Sequence, residues 1–183
     1  MTTDGKHLYK ALDQVRGLHV EVARMLSDCD RLMAEHEWIA PNTTTVSGSS
    51  ASINNPSKWS PHAVFRTYLN EAQPNVTKVI SVIFEDEWHN SLDEPVIVAS
   101  TYQTIEDRFV VFLWWNHTWW WFKFTDSIAN GEIKTITTSN SDSAEFQKEI
   151  KRFKKIVLFG CPMIEVTGTD SIESKVINPL VGS

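Results

Sequence analysis

Hydrophobic positions recur along this chain with two different periods, and the change of period predicts where helix gives way to strand. Over residues 5–37, Leu8, Leu12, Val15, Leu18, Val22, Met25, Leu26, Cys29, Leu32, Met33 and His36 follow steps of three and four. The opposite side carries Lys10, Asp13, Glu21, Arg24, Asp28, Arg31 and Glu35. This predicts one long amphipathic helix, or two in sequence. Asp4 is placed to cap it, and Pro41 with Asn42 marks its end. Gly17 weakens the middle by ~1 kcal/mol relative to Ala. Such a helix is not stable alone, so its stripe must lie on a sheet or on another copy of itself.

Beyond it, residues 42–58 are small and polar, which predicts a loop long enough to serve as a lid or binding loop. Residues 59–71 fit a short helix or a strand. Ser60 followed by Pro61 resembles an N-cap and N1 pair and tips the reading to helix. Residues 76–85 alternate with a period of two. Val76, Ile80, Val82 and Phe84 share a face on which Lys78 is the exception. Further strands are expected at 96–102, 132–137 and 156–160, with a short one at 163–167. Pro162 should end or bulge the strand before it. A helix is expected from Asp142 to about Lys155, with Phe146, Ile150 and Phe153 as its buried stripe. A last short helix at 170–178 should stop at Pro179. The fold class is therefore α+β. A long N-terminal helix packs on an antiparallel sheet of about five to six strands, in one domain spanning 1–183.

Composition sharpens one region. Five of the eight tryptophans fall within residues 109–124, FVVFLWWNHTWWWFKF. With Asn116 and His117 at a hairpin turn, Trp114, Trp119, Trp121 and Lys123 share one face, and the more apolar face meets the core. The face with Lys123 has three readings. It is covered by a helix, it binds a protein partner or a second copy, or it stacks a planar ligand. The longest apolar window is too short and too interrupted to span a membrane, so no membrane partner is expected.

The formal net charge of −6 weighs against nonspecific nucleic-acid binding. The local cluster Lys148, Lys151, Arg152 and Lys155 is the exception. The preference of cations for a helix C-terminus is the favoured account of it, ahead of a phosphate-contacting patch. Cys29 and Cys161 have no zinc spacing and read as buried small hydrophobes in a reducing cytoplasm. The six histidines form no ligand pair, and no cofactor or metal is expected. Glu132-Ile133-Lys134 has the spacing of a strand-borne metal-nuclease triplet, with Asp107 or Asp126 upstream. Glu85, Asp86, Glu87, His89, Asp93 and Glu94 form an acidic turn that also offers hard oxygen ligands. The leading expectation is a non-catalytic, cytoplasmic protein-binding or assembly module, of accessory, adaptor or immunity type in a bacterial system. A metal-dependent hydrolase or nuclease and a nucleic-acid binder are the alternatives.

Overall fold

The computed structural model describes residues 5–41, 45–47, 54, 61–84, 94–105, 128, 131–137 and 153–183. Helix α1 runs from Gly5 to Ala34. It ends earlier than Pro41 because the chain turns through a left-handed Glu37, φ 65°. Trp38 N–H donates to Met33 O at 3.0 Å and Glu37 N–H to Ala34 O at 3.0 Å, which satisfies the last carbonyls of the helix. Trp38 is thereby folded back into the core.

Among the described residues, six antiparallel strands form one sheet. They are β1 (Thr45–Ser47), β2 (Ala63–Leu69), β3 (Val76–Ile83), β4 (Val96–Thr104), β5 (Lys134–Ile136) and β6 (Phe153–Pro162). Their order is β1-β2-β3-β4-β6-β5. The meander β2-β3-β4 pairs Phe65 with Ser81 and Ser81 with Val98. The return strand β6 lies beside β4, with Ser100 opposite Leu158.

Three expectations are corrected here. Residues 63–69 are strand and not helix. In AVFRTYL, the positions that meet α1 are Val64, Arg66 and Tyr68, a period of two. Pairing with β3 along the whole strand outweighs the capping signal of Ser60-Pro61. The loop at 42–58 contains the edge strand β1, too short to show a period, paired with Ala63, Val64 and Phe65. The segment at 163–167 is not a strand but a 3-10 turn, Met163–Glu165, closed by Val166 N–H donating to Met163 O. Two boundaries also move. Strand β6 begins at Phe153, so residues 153–155 are extended, while 138–152 lie outside the described residues. The C-terminal helix does not stop at Pro179. It passes from α2 (Thr169–Ile172) through a π-helical turn, Glu173–Ile177, into α3 (Asn178–Val181). The wide turn contains Lys175, the residue whose carbonyl a proline at 179 would crowd in a regular helix.

Both faces of the sheet are buried. One packs against the C-terminal half of α1 and against the terminal helices, through Tyr68, Ile80, Ile97, Phe159, Ile177 and Leu180. The other gathers Phe65, Val79, Val98, Tyr102, Phe153 and Leu158 around Ile128. Gly160 permits that approach. A Cβ there would lie 2.5 Å from the Ile97 carbonyl oxygen and 2.8 Å from Ile128 Cγ2. No described helix is long and apolar enough to cross a membrane.

Candidate protein-binding surface

The stripe of α1 is one pattern with two environments. Leu8, Val15, Val22 and Cys29 are spaced by seven, as are Ala11, Leu18, Met25 and Leu32, and as are Leu12, His19, Leu26 and Met33. These are the a, d and e positions of four consecutive heptads. The last two heptads are buried: Val22, Met25, Leu26, Cys29, Leu32 and Met33 sit on the sheet and the terminal helices. Leu18 and His19 form the border. Leu18 is half-buried against the core, and the His19 ring lies 5.4 Å from that of Phe84. From Gly5 to Gly17 every residue is exposed. Leu8 keeps 55% of its surface in solvent, Tyr9 64%, Leu12 58% and Val15 43%.

This arm is about 20 Å of helix at the ordinary rise per residue. A helix of about 13 residues is marginal in water even with favourable composition, and Gly17 lowers its stability further. The arm carries Lys6, Lys10 and Arg16 against Asp13, so it is cationic within a chain of net charge −6. The periodicity was legible in the sequence. The point at which the sheet stops covering it was not.

The other half of α1 is fastened by two polar groups on the sheet. Asp30 accepts from Arg66 Nε at 3.0 Å, from a terminal nitrogen of Arg66 and from Tyr68 Oη at 2.9 Å. The bond to Asp30 raises the Arg66 pKa, and burial pushes the Tyr68 phenol up. Lys78 is the second group, only 2% exposed. Its Nζ donates to Leu180 O at 2.5 Å and to Thr101 Oγ1 at 3.2 Å, and lies 4.9 Å from the centre of a Trp38 ring. Ser183 completes the cluster, 2.5 Å from Thr101 Oγ1 through its hydroxyl. Burial, with repulsion from Lys155, lowers the Lys78 pKa from 10.5 to about 8. A cation at the carbonyl end of α3 is favourably placed, so Lys78 holds the last turn of the chain on the sheet. Sequence alternation had singled out Lys78 as an exception. Asp30 gave no such signal, because a helical aspartate reads as solvated until the sheet is present.

The residues singled out for chemistry are dispersed. Trp114, Trp119, Trp121 and Lys123 lie outside the described residues, as do Lys148, Lys151 and Arg152. Lys155 belongs to β6, opposite Gln103, and not to a helix end. Lys134 opens β5 and pairs with Glu132 at 2.6 Å on the surface. Asp107 and Asp126 lie outside the described residues, and so does the acidic turn before Glu94. Among the described residues, no group of three or more His, Cys, Asp or Glu is arranged to hold a metal. Cys29 and Cys161 are buried free thiols. Burial, with Asp30 and Asp28 nearby, pushes Cys29 up to about 12, and burial pushes Cys161 up to about 11. Both are protonated at neutral pH and are poor nucleophiles. An open groove of about 950 Å³ lies beyond the end of α1, lined by Glu37, Ile39, Leu69, Asn70, Glu71 and Pro74.

No protein-family model matches the chain, and no curated protein or solved structure matches it either.

Proposed function

We propose that this protein is a non-catalytic binding or assembly module, and that the N-terminal arm of α1 is a surface through which it holds another polypeptide. The observation that carries this reading is the exposure of Leu8, Leu12 and Val15 on a stripe that is core two turns later. Single exposed apolar residues are ordinary, but a row of them at helical spacing with no cover among the described residues is the mark of a helix that packs on a partner. On sequence grounds the aromatic segment 109–124, with Trp114, Trp119, Trp121 and Lys123, belongs to the same reading as a second contact surface. An accessory, adaptor or immunity-type role fits a chain whose resources lie in surfaces. The two free thiols suit a reducing cytoplasm. The hydrolase or nuclease alternative would need Glu132 and Lys134 to face a metal, whereas here they bond to each other.

The test compares the tagged protein with a Leu8→Glu, Leu12→Glu double variant in native lysate. Both are monitored by circular dichroism and by the stoichiometry of retained chains. The wild type is expected to hold a stoichiometric polypeptide that the folded double variant loses. Identical retention by both proteins would overturn the reading.

A further inference from the structure

We infer that the groove beyond the end of α1 is a docking site for a peptide segment that combines basic and apolar side chains. The groove lies on elements other than the arm and, resting on the binding-module reading, gives it a second contact surface.

Its walls come from two places in the chain. The left-handed turn after α1 contributes Glu37, Ile39 and Pro41, and the β2–β3 connection contributes Leu69, Asn70 and Glu71. The connection is held in place from within. Gln73 N–H donates to Asn70 O at 3.0 Å, and Val76 N–H donates to Gln73 O at 3.0 Å. Ile39 and Leu69 exchange both backbone hydrogen bonds, at 2.8 and 2.9 Å, so this pair offers no strand edge to a ligand. Recognition there falls to side chains. A space of about 950 Å³ that stays open suits a chain that enters and leaves it, whereas small molecules favour enclosure.

Asn70 supplies a donor. It borders the groove and is only 7% exposed. Its Oδ1 accepts from Ala72 N–H at 2.8 Å, which fixes the orientation of the amide. Nδ2 then has no hydrogen-bond partner among the described residues, and it is not fully enclosed. The open space beside Asn70 is the groove, so the nitrogen is presented to whatever lies there. A peptide carbonyl is the acceptor that fits it.

The charged lining is acidic. Glu37 and Glu71 border the groove, and no described lining residue is basic. Neither carboxylate has an ion-pair partner among the described residues. Glu37 also occupies the left-handed position after a helix where glycine is favoured, φ 65°, so a carboxylate is kept on the groove at some cost in stability. Ile39, Leu69, Pro41 and Pro74 give the lining its apolar part. A ligand that matches all three features carries cations, apolar side chains and backbone carbonyls together.

The test is fluorescence anisotropy of the whole chain with a labelled, amidated hexapeptide of alternating leucine and lysine, and with its leucine–glutamate counterpart. The wild type is expected to bind the lysine peptide saturably at one site and to ignore the glutamate peptide. Glu37→Gln with Glu71→Gln should weaken binding about tenfold or more, whereas Glu173→Gln, at an exposed acid outside the groove, should leave it unchanged. Asn70→Asp keeps the acceptor for Ala72 N–H and removes the donor. It also adds a negative charge, so simple charge attraction would tighten binding, while the inferred contact predicts a loss of about tenfold. Glu37→Gly should keep the fold and still bind less tightly, which separates recognition from folding. No saturable binding by the wild type, equal binding of the two peptides, or unchanged or tighter binding by Asn70→Asp would overturn the inference. Leu8→Glu with Leu12→Glu should leave this binding intact. Loss of binding in that variant would move the peptide to the arm and overturn the groove alone, while failure of the groove with the arm's capture preserved leaves the binding-module reading standing.

Discussion

Between Val22 and Met33, α1 buries six side chains on the sheet, while between Gly5 and Gly17 the same helix leaves every residue exposed. The heptad pattern does not change at the boundary; what changes is the presence of a second layer. In the inner half, each apolar contact adds burial to a core that also holds Trp38, Tyr68 and Leu180. In the outer half, identical residue types contribute almost nothing until another surface arrives. Periodicity thus reports that a helix has a side to bury, and not what it is buried against.

The largest contrast comes from truncating equivalent positions in the two halves. Leu26→Ala removes a buried side chain and should cost about 3 kcal/mol in urea unfolding. Leu12→Ala, one pair of heptads earlier on the same row, should cost less than about 0.5 kcal/mol in dilute solution. Equal losses at the two positions would mean that the arm is packed in the isolated chain.

The next effect concerns what fastens the inner half and the terminal helices to the sheet. The native pKa of Lys78 is depressed to about 8, while the unfolded chain holds that proton up to 10.5. Between those values the unfolded state binds more protons than the native state, so stability rises with pH through the window. The penalty is fully present below pH 8, and its relief amounts to about 3 kcal/mol. Lys78→Met should flatten that rise in a pH series of denaturation curves. An unchanged slope would place the titration elsewhere.

These two cases show how the fold could and could not be read from residues. The long helix, β3, β4 and β6 were legible because burial on one or both faces leaves a period or a continuous apolar run. The strand at 63–69 was obscured because Arg66 occupies a core-side position, where it answers Asp30 from another element. That pairing is invisible without the tertiary contact. The three-residue strand β1 carries too few positions for any period. For the candidate site, the stripe was legible as far as Leu8, but its division at Leu18 depends on where the sheet ends. The residues chosen for chemistry were local patterns, and Glu132 with Lys134 shows how such a pattern resolves into a surface ion pair.

Asp30→Ala should cost about 2 kcal/mol, because it leaves the Arg66 guanidinium and Tyr68 hydroxyl without their shared acceptor at the helix–sheet interface. A change within error would show that water replaces the carboxylate. A smaller, stabilising effect is expected at the turn between α1 and Trp38. Glu37→Gly relieves a left-handed conformation and should add about 1 kcal/mol, or less once backbone entropy is counted. Thermal unfolding will read its sign.

Helix α1 has a packed half and an exposed arm, and backbone amide exchange along its thirty residues tests this division most directly. In dilute protein, amides from Gly5 to Gly17 should exchange close to the rate of an unprotected helix, while those from Val22 to Met33 approach the protection of the core strands. Uniformly strong protection across the whole helix in dilute monomer would contradict the account.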